Sequence, residues 1–328
     1  MSPAPSDWRP SASLETLKKR AQLLEAVRAF FSTRGVLEVE TPLLSAAAAP
    51  DVHLDSVPAR LHRPGIGEET RWLPTSPEYP LKRLLCAGYG DVYALGKVFR
   101  DGDESRRHQP EFTLLEWYRL DYDLPQIMAE TAELLQHLLQ RGVPDFFTFD
   151  ELFARFAGIQ DPFSAPAEAF RAVLADRGID IAGVAPHERG LWRQLVLTEV
   201  IEPQLAAREL VFVYGYPAQE AALAALHPHD PHRALRFEVY WHGMELANGY
   251  EELRDAKIYR QRFEQWNAAR AAAGKRPMPL DTHLLAALEA SGGLPPASGV
   301  ALGFDRLVMA ATGAACIDAV IAFPVPRA

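Results

Sequence analysis

Apolar residues recur at helical spacing at Leu14, Leu17, Ala21, Leu24, Val27, Phe30 and Phe31, which predicts an opening helix. Ser13 is placed to cap it and Gly35 to end it. From Val36 to Leu44 the pattern turns into a strand interrupted by Pro42, which cannot donate to a sheet ladder. That segment belongs at a sheet edge or an interface. Residues 46–75 show no period and read as irregular. "DVYALGKVFR" and "EFTLLEWYRL" read as two strands. In the second, Phe112, Leu114, Glu116 and Tyr118 share one face, and Glu111, Thr113, Leu115 and Trp117 share the other.

An amphipathic helix follows over residues 125–141, then mixed helices and loops over 145–210. Strands in "LVFVYGYP" and "RFEVYWHGMELANGY" come next, with helices near 255–272 and 281–290. "SGVALGFDRLVMAATG" runs from strand into helix. Long strands that pair across large separations, with helices outside, predict an α+β fold around a mostly antiparallel sheet. No internal boundary stands out. The expected organisation is one domain over 14–328 after a disordered lead-in over 1–13.

Composition narrows the class. With 48% hydrophobic and 23% charged residues, the chain can build a globular core. There is no apolar run long enough to span a membrane and no apolar segment of the signal-peptide kind. Cys86 and Cys316 have neither metal-ligand nor disulfide spacing, which fits a reducing cytoplasm. The net charge of −9, without a Lys/Arg block, gives no broad footprint for nucleic acid.

Three stretches carry candidate chemistry. The loop "RDGDESRRH" holds Arg100, Arg106, Arg107 and His108 beside the Phe112/Glu116/Tyr118 face. Arginine forks match phosphate or carboxylate oxygens, so the loop is an anion clamp or a solvated hairpin loop with internal ion pairs. In "RFEVYWHGMELANGYEEL", a two-residue turn at His242–Gly243 would pair Tyr240 with Glu245 and Glu238 with Ala247. Glu238 and Glu245 would then be diagonal neighbours, roughly 7–8 Å apart at Cα. They could hold Mg²⁺ against a polyphosphate, or simply face solvent. In "GVALGFDR", Gly303 permits close backbone approach and Asp305 can cap the next helix. Arg306 would then face an anion from its first turn, or Asp305 and Arg306 form a buried structural pair. "HPHDPHR", with His227, His229 and His232, reads as a polar loop rather than a metal site.

Taken in order, these pieces resemble the three motifs of the class II aminoacyl-tRNA synthetases. "GVLEVETPLL" looks like motif 1, "VFRDGDESRRHQPEFTLLEWY" like motif 2 and "GVALGFDR" like motif 3. "PTSPEYPLKRLL", "HQPEFTLLEWY" and "ELANGYEEL" are similar to the lysyl-tRNA synthetase catalytic core. The resemblance implies a homodimeric α+β core that binds ATP and Mg²⁺. It implies that Arg100, Glu245 and Arg306 are catalytic, with Arg100 on the α-phosphate and amino-acid carboxylate. His108 would reach the outer phosphates, and Phe112 and Arg306 would sandwich adenine. Asp101, Gly102, Gln109, Leu246 and Gly303 would complete the ATP site, and Glu238 and Glu245 would hold the metal. Ser76, Glu78, Glu116, Tyr118, Asn248, Tyr250, Glu252 and Ala301 would line the amino-acid pocket.

Three departures refine the expectation. Only about a dozen residues precede the first helix, where a lysyl-tRNA synthetase carries a barrel of roughly 100 residues for the anticodon. Ala301 stands where motif 3 usually has its first glycine. Gly102 stands where motif 2 usually has an acidic residue, leaving Asp101, Gly102 or Asp103 for the adenine side. The first two match the truncated paralogue family that acylates elongation factor P with (R)-β-lysine. The implied partners are elongation factor P and (R)-β-lysine, with no tRNA and no membrane. The rivals are a free-standing enzyme acylating tRNA or a small molecule, and a silent ATP- or lysine-binding regulator.

Overall fold

The computed structural model describes residues 8–328. Along the chain run α1 (Leu14–Ser32), β1 (Leu37–Glu38), β2 (Pro58–Arg63), β3 (Gly67–Trp72), α2 (Glu78–Cys86), β4 (Val92–Phe99), β5 (Glu111–Leu120) and α3 (Leu124–Leu139). Then come β6 (Pro144–Thr148), α4 (Phe149–Leu152), α5 (Ala167–Ala175), α6 (Arg189–Val196), α7 (Glu202–Leu205), β7 (Leu210–Tyr214), β8 (Leu226–His227) and β9 (Asp230–Ala234). The chain closes with β10 (Arg236–Trp241), β11 (Met244–Glu251), α8 (Ala256–Ala272), α9 (Thr282–Ala290), β12 (Ala297–Gly303) and α10 (Phe304–Thr312).

These elements form two compact units. One comprises the residues up to Asp123, His137–Leu139 and Glu252–Ala328; the other comprises Leu124–Gln136 and Gln140–Glu251.

In the first unit β1, β4, β5 and β12 lie side by side. β1 runs parallel to β4, and the other pairings are antiparallel. Ser13 caps α1 by accepting from the Thr16 amide at 3.1 Å, and Gly35 ends that helix region at φ +70°. The buried stripe is Leu23, Val27, Phe30 and Phe31, whereas Leu14 is 70% exposed. Phe31 stacks on Tyr93 at 4.6 Å and meets Trp117 at 5.4 Å. The Trp117 face of β5 therefore packs on α1, leaving the Glu116/Tyr118 face for chemistry. The Val36–Leu44 segment keeps only the two-residue edge strand β1, beyond which Leu43 and Leu44 are exposed.

The irregular stretch expected over 46–75 contains a hairpin, β2 against β3. Its strands, PARLHR and GEETRW, hold too few apolar residues to show a period, although Trp72 at the end of β3 is buried. Residues 1–7 of the expected lead-in lie outside the described residues. Ser11 and Ala12, by contrast, donate to the carbonyls of Ala322 and Ile321, and Ala12 is buried.

In the second unit β11, β10 and β7 are antiparallel, and β6 joins β7 in parallel. Phe149, Phe153, Phe170, Trp192 and Val196 form the heart of its core against Val211 and Val213 of β7. The β10–β11 turn is the expected one: His242 and Gly243 both have positive φ, at 45° and 73°. Tyr240 pairs with Glu245 as expected. Glu238, however, pairs with Asn248 and not Ala247, because Leu246 is an extra residue that bulges β11.

Candidate active site

Motif 3 gives the pocket its floor. β12 pairs with β5 so that Gly299 faces Tyr118, Ala301 faces Glu116 and Gly303 faces Leu114. Directly opposed residues put their side chains on one face, so three small residues line up under the face of Leu114, Glu116 and Tyr118. A Cβ on Gly299 would stand 2.4 Å from Tyr118 Cε1 and 2.7 Å from Glu252 Oε1.

Above that floor the carboxylates gather. Glu116 accepts from Ser76 Oγ at 2.6 Å and from the Tyr118 hydroxyl at 2.7 Å. Burial and the neighbouring Glu78 charge raise its pKa to about 7. Glu252 is fully enclosed, and burial raises its pKa to about 8 despite the Lys82 ammonium beside it. Lys82 Nζ lies 2.6 Å from both Glu78 Oε1 and Glu252 Oε2. The arrangement suits a ligand that brings positive charge into a low-dielectric pocket. A cavity of about 420 Å³ opens against Ser76, Glu78 and Tyr79, walled by the 44–49 loop and the start of α9.

The charged loop and α10 meet in the same unit. Arg100 holds its guanidinium carbon 4.9 Å from the Phe112 ring centroid. Arg306 donates to His108 Nε2, and the Ser105 hydroxyl lies 2.7 Å from His108 Nδ1. That pattern puts the imidazole proton on Nδ1. Burial and the Arg306 charge lower the His108 pKa, so the ring is neutral at pH 7. Asp101 and Gly102 are exposed, and Gly102 takes φ +73° at the loop turn. His108 is thus tied to α10 as well as to its own loop.

Three assignments need correction. Asp305 does not cap α10: it accepts from Arg20 at 2.5 Å and from the Thr113 amide at 2.6 Å. It ties α1, β5 and α10 together, a structural role that no local pattern could reveal. Gln109, assigned to ATP, is buried and commits its amide to Asp318 and to the Val325 amide. Glu238, assigned to the metal, has both oxygens engaged in the second unit. One accepts from Arg236; the other accepts from Tyr216 at 2.7 Å and Tyr240 at 2.5 Å.

Glu245, Leu246, Asn248 and Tyr250 also lie in the second unit. Glu245 is half-buried beside the turn, while Leu246 is the buried bulge residue. Asn248 accepts from Arg236 at 2.9 Å, and Tyr250 packs on the Ala221, Ala224 and Ala234 cluster. The residues missed by sequence reading are Lys82, Gly299, Arg236 and Arg20. The i,i+4 spacing of Glu78 and Lys82 was a signal for the first; the other three depend on distant partners.

The class II tRNA synthetase family (D, K and N) matches residues 6–327. An elongation factor P–(R)-β-lysine ligase of Edwardsiella ictaluri (strain 93-146) is 47% identical over 328 residues, covering 98% of this chain and 99% of the relative. An elongation factor P–(R)-β-lysine ligase of Proteus mirabilis (strain HI4320) is 45% identical over 326 residues, covering 98% and 99%. With motif 3 as pocket floor, motif 2 as arginine loop and these relatives along nearly the whole chain, the protein belongs to the class II tRNA synthetase family, among its elongation factor P–(R)-β-lysine ligases.

Proposed function

We propose that this enzyme activates (R)-β-lysine with ATP and transfers it to the ε-amine of a lysine on elongation factor P. The observation that carries the reading is the carboxylate pocket of Glu78, Glu116 and Glu252 over the Gly299–Ala301–Gly303 floor. A diamino acid brings two ammonium groups, and buried ammoniums need paired carboxylates.

In the first step the β-lysine carboxylate attacks the α-phosphorus of ATP in line, and pyrophosphate leaves. Arg100 neutralises the developing charge, Phe112 and Arg306 hold adenine, and His108 turns its Nδ1–H to the outer phosphates. Positioning and electrostatics suffice, with no covalent enzyme nucleophile. In the second step the acceptor amine attacks the adenylate carbonyl, an amide forms, and AMP leaves with its phosphate taking the amine proton.

Mg²⁺ fits Glu245, since this ion takes one or two carboxylates together with substrate phosphates and water. Glu238 does not fit as a direct ligand, because its oxygens already serve Arg236, Tyr216 and Tyr240. Bound there, Mg²⁺ would neutralise phosphate charge. Exposed Leu37, Leu43 and Leu44 on the motif 1 edge support a homodimer. No helix among the described residues is long and apolar enough to cross a membrane. The two free cysteines suit the cytoplasm. The acceptor is protein and not tRNA, a reading supported by the acidic net charge of −9.

The test is ATP–pyrophosphate exchange with (R)-β-lysine and α-lysine, followed by label transfer to elongation factor P or tRNA. The expected result is exchange with (R)-β-lysine and label on elongation factor P. Preference for α-lysine with label on tRNA overturns the proposal.

A further inference from the structure

Lys82 is a buried cation in a pocket that has to receive cations. Its side chain is 0% exposed, as is that of Glu252, while Glu78 is 19% exposed. α2 places Glu78 and Lys82 one turn apart, and the ammonium bridges from Glu78 to Glu252. Tyr118 and Tyr259 close over it, with ring centroids 5.9 Å and 5.3 Å from Nζ. A lysine placed there for packing alone would be a poor choice, since a methionine would fill the same volume without a desolvation cost.

Charge counting gives it a purpose. Glu78, Glu116 and Glu252 together carry three negative charges when ionised, and Lys82 returns one. The remainder is two, which equals the two ammonium groups of a diamino acid whose carboxylate goes to Arg100. We propose that Lys82 is a positioning residue for the amino-acid substrate: its ammonium clamps Glu78 to Glu252 and trims the pocket charge to match a dicationic guest. This rests on the functional reading above and deepens it. The groups that face the ammonium are Glu78 from α2, Glu116 and Tyr118 from β5, Glu252 after β11, and Tyr259 from α8. Without Lys82, the carboxylates would repel one another and hold protons that the substrate must displace.

Three variants test it: Lys82→Met, Glu252→Gln and the two combined. The combination restores the count of two negative charges and removes the fully enclosed carboxylate beside Lys82. The measurements are KM for (R)-β-lysine and for ATP in pyrophosphate exchange, followed across the neutral and mildly alkaline range, and thermal melting.

Lys82→Met is expected to raise the (R)-β-lysine KM at least about tenfold, as loss of one partner of a buried pair should. The ATP KM is expected to stay within about twofold, because the adenine and phosphate contacts are untouched. The alkaline rise of kcat/KM should move to higher pH, since the carboxylates lose a cation that favours their ionised form. The double variant should melt above Lys82→Met, and its loss of (R)-β-lysine affinity should be smaller than the sum of the two single losses.

Lys82→Met with unchanged (R)-β-lysine KM and pH profile overturns the proposal. So do losses that simply add in the double variant, or a double variant no better folded than Lys82→Met. Absence of (R)-β-lysine-dependent exchange in the unaltered protein overturns the functional reading alone; the melting comparison still decides whether Lys82 balances the carboxylates.

Discussion

Gly299 and Tyr118 are so closely opposed that a single methyl group on Gly299 would lie 2.4 Å from the tyrosine ring. Tyr118 Cδ1 and Glu252 Oε1 would each lie 2.7 Å from it. Gly299→Ala must therefore displace a ring or a carboxylate of the pocket. The variant should lose about 1–3 kcal/mol of stability from overpacking. It should also raise KM for the amino acid far more than KM for ATP. Substrate-saturation curves with each ligand varied in turn check the split; equal changes in both would contradict it.

Ala301 stands opposite Glu116 in the β5–β12 register. Its methyl group narrows the floor beside the Glu116 carboxylate. Ala301→Gly should shift selectivity from (R)-β-lysine toward α-lysine by about tenfold, the scale of one methyl group in a pocket. Parallel exchange assays with the two lysines measure the ratio. Unchanged selectivity would remove the pocket floor from the account of specificity.

Glu116 and Glu252 carry the pH dependence. Their pKa values are raised to about 7 and about 8, above the ordinary carboxylate value of 4.5. A raised folded-state pKa gives stability that is full below the unfolded value and is lost as pH rises through the folded one. The melting temperature of the free enzyme should thus fall as pH rises from about 5 to about 8. Glu116→Gln and Glu252→Gln should each flatten that fall. Binding of a dicationic ligand should release protons in the same range. Calorimetry in buffers of different ionisation enthalpy counts them; zero release at neutral pH would exclude the protonated carboxyls.

Glu238 and Glu245 should part company under mutation. Glu238→Gln removes the charged partner of the largely buried Arg236 and is expected to cost about 3 kcal/mol of stability. Glu245→Gln should raise the Mg²⁺ concentration needed for half-maximal exchange. Denaturant melts and Mg²⁺ titrations separate the two. A matching Mg²⁺ effect in a well-folded Glu238→Gln protein would restore the paired-ligand assignment.

Much of this was legible beforehand because it is written locally. Alternation along 111–120 placed Glu116 and Tyr118 on one face, and the His242–Gly243 turn announced its hairpin. The β2–β3 hairpin was not legible, since PARLHR and GEETRW hold too few apolar residues to betray a period. The register beyond the turn slipped by one residue because a bulge at Leu246 costs the chain nothing visible in composition. Asp305 and Glu238 were misread for a shared reason. A carboxylate looks available until its cation is found, and Arg20 comes 285 residues before Asp305. Arg236 sits only two residues from Glu238, but its orientation depends on Asn248 and the Glu220 carbonyl.

The split composition of the first unit constrains how a ribosome can build it. Everything from Leu124 to Glu251, apart from three residues of α3, belongs to the other unit and emerges while the first is still missing its closing pieces. β5 must wait for β12, and Arg20 for Asp305, until synthesis is nearly over. Until then β5 presents a bare edge of backbone donors and acceptors, the kind of surface that recruits unwanted partners. A nascent chain stalled before residue 297 should therefore be the state that most needs a chaperone.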